Sequence, residues 1–218
     1  IIFENQTIKD LNSWANIIAS SICNDGGQFC TKPGLIFLPN NTNGNDFKKI
    51  LINTVINKKA CWMLHPTILN NYNKLLDQRE KISNGKLYQN NDELIDMKGK
   101  PSILCVDIDK FIKEKSLQEE VFGPFSILIS YANKIELAKA LKKLHGQLTF
   151  TFIGKEKEIA ENKELIYLGI KRAGRVIFND VPTGVKTCSS MHHGGPYPAS
   201  TDSRFTAVGT DSIHRFTR

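Results

Sequence analysis

The 218-residue chain is 40% hydrophobic and 23% charged, the balance of an ordinary globular protein of one large domain or two small ones. No apolar run approaches the roughly 18 residues of a membrane span, and no basic-then-apolar leader opens the sequence. The net charge of +7 comes from lysines dispersed through helix-like segments, without the Arg/Lys clusters interleaved with aromatics that suit nucleic acid. These features lead us to expect a cytoplasmic protein with no membrane or nucleic-acid partner.

Five cysteines, Cys23, Cys30, Cys61, Cys105 and Cys188, form no C-x-x-C pair. That argues against a disulfide framework or a zinc ribbon and suits reduced thiols. The chain opens Ile1-Ile2-Phe3 with no methionine, as if inside an apolar strand, and reads as part of something longer.

From Thr7 to Cys23 the apolar positions Ile8, Leu11, Trp14, Ile18 and Ile22 recur at helical spacing, with Thr7 as cap and Asn24 to Gly27 as stop. Cys30 then lies between glycine-containing turns, ahead of a buried-type strand, Leu35 to Leu38. A polar loop from Asn40 to Asp46 leads to a helix over about 46–58, and a further helix runs from Thr67 to Ser83 before the Asn84-Gly85 turn. Strands are predicted at Ser102–Val106, Phe125–Tyr131, Leu148–Ile153 and Arg175–Asn179. Between the later strands, Asn133 caps a helix closed by Gly146, and one helix over about 155–173 ends at Gly174.

Helices alternating with apolar strands predict an α/β fold with an open, largely parallel sheet flanked by helices. The stretch 181–209, rich in Gly, Pro, Ser and Thr, is expected to be a long functional loop. Three irregular stretches each adjoin a strand: Gly26–Gly34, Glu119–Pro124 and Pro182–Arg204. One shared site at the carboxyl ends of the strands is expected from them.

A thiol on such a turn can lie near backbone N–H groups that stabilise a thiolate and an adjacent oxyanion. Glu119-Glu120-Val121-Phe122-Gly123-Pro124 sets carboxylates, an aromatic face and a fixed turn side by side, which suits a ribose hydroxyl and a flat ring. Cys188, His192 and His193 do not have standard zinc spacing, so no metal is expected. A Cys-His hydrolase, with Cys30 activated by His192 or His193, is geometrically open but not indicated by any motif.

Gly27-Gln28-Phe29-Cys30 resembles the catalytic-cysteine motif of the aldehyde dehydrogenase superfamily, and Glu119 to Pro124 resembles its Glu-Glu-(Ile/Val)-Phe-Gly-Pro signature. Order and spacing also fit. Gln28–Gly34, Phe178–Val185 and His193–Arg204 are similar to the α-ketoglutaric semialdehyde dehydrogenase branch of that family. The resemblance implies that Cys30 is the nucleophile, passing through a thiohemiacetal and a thioester. It implies that Glu120 binds the nicotinamide ribose, that Phe122 packs near the nicotinamide, and that the loop with Pro196, Tyr197 and Arg204 forms the substrate end. NAD or NADP would be the cofactor, a small semialdehyde the substrate, and copies of the same chain the partners in the whole protein.

The resemblance covers residues 1–218 as a catalytic domain without the N-terminal Rossmann-like cofactor domain, and no G-x-G-x-x-G fingerprint occurs. In the family the general-base glutamate falls just ahead of the position of Ile1, so this chain alone is expected to fold without turning over. The alternative is a non-catalytic homologue kept as an oligomerisation or interaction module.

Overall fold

A computed structural model describes residues 1–3, 8–91, 93, 96–184, 186 and 188–217, with the side chains of residues 8 and 9 left aside. The cap expected at Thr7 lies outside the described residues. Helix α1, Ile8–Cys23, buries Leu11, Ala15, Ile18, Ala19 and Ile22, one stripe at three- and four-residue spacing. Strand β1 is Leu35–Pro39. Helix α2, Thr42–Ile56, starts earlier than the composition of the polar loop implied, because the Asn41 side chain accepts from Gly44 N at 2.8 Å and caps it.

A two-residue strand, β2 (Cys61–Trp62), precedes α3, Pro66–Ser83, which has proline in its first turn and ends at left-handed Asn84. Next come β3 (Lys86–Gln89), β4 (Lys98–Gly99), β5 (Ser102–Asp107), α4 (Ile108–Lys113) and β6 (Phe125–Tyr131). Helix α5, Lys134–Lys143, is capped as expected by Asn133, whose side chain accepts from Ile135 N and Glu136 N. Strand β7, Gln147–Phe152, leads to two helices where one was expected, α6 (Glu156–Glu161) and α7 (Lys163–Ile170). The break is at Asn162, whose side chain donates to Glu158 O at 2.6 Å and competes with the helix. Gly174 therefore does not stop a helix. It lies inside strand β8, Ala173–Phe178.

The main sheet has the order β1-β6-β5-β3, with the first three parallel and β3 antiparallel at the edge. Strands β7 and β8 form a parallel pair. Ile1–Phe3 stitches the two together: Ile2 N donates to Phe37 O, Phe3 N to Ile153 O, and Ile153 N to Ile1 O.

Alternation along the strands separates two cores. Ile36, Leu38, Ile103, Cys105 and Leu128 pack under α1 and α2. Phe37, Leu104, Val106, Ile127 and Ile129 pack under α3, α4 and α5. The fold is the expected α/β arrangement, a largely parallel sheet covered by helices on both faces. Among the described residues, no helix is long and apolar enough to cross a membrane.

Candidate active site

Cys30 follows the end of α1, where Asp25, Gly26 and Gly27 all take positive φ. Lys32 N donates to Phe29 O at 3.2 Å, so the exposed Cys30 occupies the second position of a tight turn. The turn is immobilised from several sides. The Gln28 amide nitrogen donates to Asp25 O at 2.8 Å and Trp62 O at 3.2 Å, and its oxygen accepts from Leu64 N at 2.9 Å. Ser126 Oγ donates to Pro33 O, and Ile127 N donates to Gly34 O at 2.9 Å.

The cysteine turn lies directly on the Glu119–Pro124 segment. A Cβ on Gly27 would overlap the carbonyl of Gly123, so only glycine allows the two backbones to approach this closely. The two motifs, some ninety residues apart in sequence, thus form one contact. Within the second motif the glutamates differ in role. Glu119 Oε2 accepts from Nη2 of Arg79 at 2.9 Å; the Arg79 side chain is 3% exposed and that of Glu119 67%. Glu119 thereby ties the segment to α3. Glu120 is exposed and makes no hydrogen bond among the described residues; it lines a cavity of about 130 Å³ together with Cys30 and Lys32. Phe122 is half-buried and lines neither cavity at Cys30.

Lys32 Nζ donates to Phe125 O at 2.6 Å. Its ammonium end is enclosed, and burial pushes its pKa down to about 8 while the nearby Glu120 carboxylate acts to raise it. A second cavity of about 130 Å³ is lined by Cys30, Lys32, Phe37, Gln147, Thr151 and Asp180, among others. Cys30 and Lys32 stand where the two cavities meet.

The third stretch supplies the closest side chain. Nε2 of His193 lies 3.2 Å from Sγ of Cys30. His193 is buried, and burial first, then Arg175 and His192, depress its pKa below the ordinary histidine value, so it is neutral at pH 7. A neutral imidazole there can accept the thiol proton. Long-range contacts hold its backbone: His193 N donates to Thr206 Oγ1 at 2.8 Å and Ala207 N donates to His193 O at 2.9 Å. A Cβ on Gly174 would overlap the carbonyl of Gly194, so β8 also seats this segment at close range.

The residues expected at the substrate end take less central places. Pro196 is half-buried and Tyr197 is 81% exposed, and Tyr197 reaches the framework by its carbonyl, which accepts from Gly146 N at 3.3 Å. Arg204 is exposed and paired with Asp202, Nη2 to Oδ2 at 2.6 Å. None of the three lines either cavity at Cys30. Among the described residues no group of His, Cys, Asp and Glu could hold a metal ion.

The site does not lie at the carboxyl ends of the strands. The Cys30 turn precedes β1 and the Glu119–Pro124 segment precedes β6, so both lie at amino ends. The segment after β8 returns to Gly146 and Gly174, at the starts of β7 and β8. The carboxyl-end expectation fails because these loops enter their strands instead of leaving them. Nothing local in the sequence marks Lys32 as a site residue, and nothing local chooses between the adjacent His192 and His193.

No protein-family model matches the chain. It is 40% identical over 195 residues to the α-ketoglutaric semialdehyde dehydrogenase of Acinetobacter baylyi, covering 88% of this chain and 37% of that protein. To α-ketoglutaric semialdehyde dehydrogenase 2 of Azospirillum brasilense it is 32% identical, again over 88% of this chain and 37% of the relative. The chain therefore spans little more than a third of the curated relatives it matches. Proline utilization A of Bdellovibrio bacteriovorus superimposes with a TM-score of 0.77 at 18% identity, over 95% of this chain and 21% of that one. The NAD⁺ complex of a Bacillus cereus aldehyde dehydrogenase does so with a TM-score of 0.70 at 15% identity, over 89% of this chain and 39% of that one. In sequence the chain is similar to a C-terminal part of α-ketoglutaric semialdehyde dehydrogenases, and its fold is that of aldehyde dehydrogenases.

Proposed function

We propose that this chain is the thiol-bearing part of an NAD(P)-linked aldehyde dehydrogenase that oxidises a semialdehyde, α-ketoglutaric semialdehyde being the favoured substrate. The observation that carries the reading is the 3.2 Å contact between Cys30 Sγ and His193 Nε2, at the junction of two cavities, one of them walled by Glu120. The similarity to semialdehyde dehydrogenases supports the substrate class.

In this reading Cys30 is the nucleophile. As sulfur adds to the aldehyde carbon, its proton passes to neutral His193, and the carbonyl oxygen becomes the thiohemiacetal oxygen. The fixed turn presents sulfur to the carbonyl without reorganising the backbone. A nicotinamide nucleotide, held in part by Glu120, would supply the hydride acceptor for that carbon. Glu120, free of the ion pair that occupies Glu119 and exposed at the cavity it lines, would accept hydrogen bonds from ribose hydroxyls, and Phe122, two residues on, would pack near the nicotinamide. The Glu120 cavity of about 130 Å³ admits only one end of a dinucleotide, so these residues fit a partial cofactor wall and not a whole site. Water then cleaves the thioester and releases the acid. The remainder of the cofactor site and the hydrolytic base belong to the rest of the whole protein, which we place in the cytoplasm as an assembly of identical copies.

The test mixes α-ketoglutaric semialdehyde with NAD⁺ or NADP⁺ and follows the reduced nicotinamide, for the whole protein carrying this segment and for this chain alone. Turnover by the whole protein, abolished by Cys30→Ala and absent from the chain alone, is the expected result. Turnover that survives Cys30→Ala contradicts the reading.

A further inference from the structure

We propose that the opposite end of the sheet carries a second ligand site, an anion site for a small phosphate-bearing compound. The Cys30 machinery occupies the amino ends of β1 and β6. In open α/β sheets, ligands collect beyond the carboxyl ends of the parallel strands. At that end, beside the last residues of β5, lies a cavity of about 480 Å³, within the size range of small-molecule sites.

Three separate elements direct cations at this cavity: Lys48 from α2, Lys86 from β3 and Lys110 from α4. The antiparallel register sets Lys86 opposite Cys105, and the two-residue repeat puts Tyr88 on the same face of β3. Lys48 comes from the other side, its Nζ donating to Ser130 Oγ at 3.4 Å. The Lys48 and Lys86 ammonium groups both lie close enough for their charge to act on the Cys105 thiol.

Asp107 is the one carboxylate in the lining, and none of the three lysines forms an ion pair among the described residues. With three lysines and one carboxylate in its lining, the cavity carries an excess of positive charge that a bound dianion would offset; Lys86 Nζ also lies 4.9 Å over the Tyr88 ring. Ammonium groups supplied from several directions act as point charges and suit the tetrahedral oxygens of phosphate. The site shares no lining residue with the two cavities at Cys30 and does not depend on the proposed reaction.

The test is isothermal titration of this chain, at fixed ionic strength in chloride buffer, with inorganic pyrophosphate in one arm and ADP in the other. One saturable site for each is expected, weakened about tenfold by Lys86→Gln and by Lys110→Gln, the loss of one charge-assisted hydrogen bond. Lys139→Gln, in the separate groove beside α5, should leave the affinity unchanged. Similar affinity for the two probes assigns recognition to the phosphates. No saturable binding of pyrophosphate, or equal weakening by Lys139→Gln, overturns the site.

Discussion

The turn that carries Cys30 and the segment that carries His193 meet at one pair of atoms, yet they are built differently. The Cys30 turn is local. A helix ends, three consecutive residues take positive φ, a tight turn presents the thiol, and a strand begins within five residues. The His193 segment lies far from β8 in sequence and is placed by distant partners, Gly174 beneath it and Thr206 beyond it. The proposed nucleophile, shaped by a local turn that distant contacts then lock, and its proposed proton acceptor, placed by distant contacts alone, should therefore fail separately.

The largest expected effect comes from wedging the first region apart. Gly27→Ala adds a methyl that overlaps the Gly123 carbonyl at a residue whose φ is +65°. It should cost about 2–5 kcal/mol in urea unfolding, from steric overlap added to left-handed strain. A variant as stable as the parent would show that the two motifs do not bear on each other.

The contrast also shows what could be read in advance. Helix α1, the cysteine turn and strands β1, β5 and β6 carry local signals: spacing, glycines and short apolar runs. Edge strand β3 (Lys-Leu-Tyr-Gln) and helix α4 lack such signals and owe their form to pairing with β5 and packing on the core. The break at Asn162 depends on a side chain turning back to its own helix, which the apolar spacing around it conceals. Cys30 and Glu120 were legible through motifs. That His193 rather than His192 reaches the thiol, and that Glu119 is taken by a buried arginine on α3, depend on contacts that nothing local encodes.

The paired glutamates sharpen the comparison at intermediate size. Glu119→Gln leaves the buried Arg79 guanidinium without its charge partner and should cost about 1–2 kcal/mol, reduced by the exposure of the carboxylate. Glu120→Gln should alter stability by less than about 0.5 kcal/mol. Its effect should instead be weaker binding of the nicotinamide nucleotide by the whole protein. Equal destabilisation by the two changes, measured by chemical unfolding, would remove the division of roles.

The second region should yield to a gentler change. Thr206→Val removes the acceptor of the buried His193 N–H and should cost about 1 kcal/mol while slowing alkylation of Cys30. An unchanged alkylation rate would show that His193 keeps its place without Thr206.

The pH response should be smaller still. With its folded pKa depressed below the ordinary value of about 6.5, His193 takes up its proton more readily in the unfolded chain. Its contribution to stability is therefore complete above that value and is lost as pH falls from there towards the lower folded pKa. The sign can be checked by comparing urea midpoints of the parent and His193→Phe across that interval. The parent should lose stability faster as the pH falls.

The most direct test of the central claim, that His193 takes the proton of Cys30, is the rate of iodoacetamide alkylation of Cys30 at pH 7, mapped by mass spectrometry, in the parent chain and in His193→Phe. The account predicts a rate about tenfold lower in the variant, a modest share of what a positioned base contributes. It also predicts that the difference closes as the pH is lowered and His193 becomes protonated. Equal rates at pH 7, with both proteins folded, would contradict it and leave the 3.2 Å contact as packing alone.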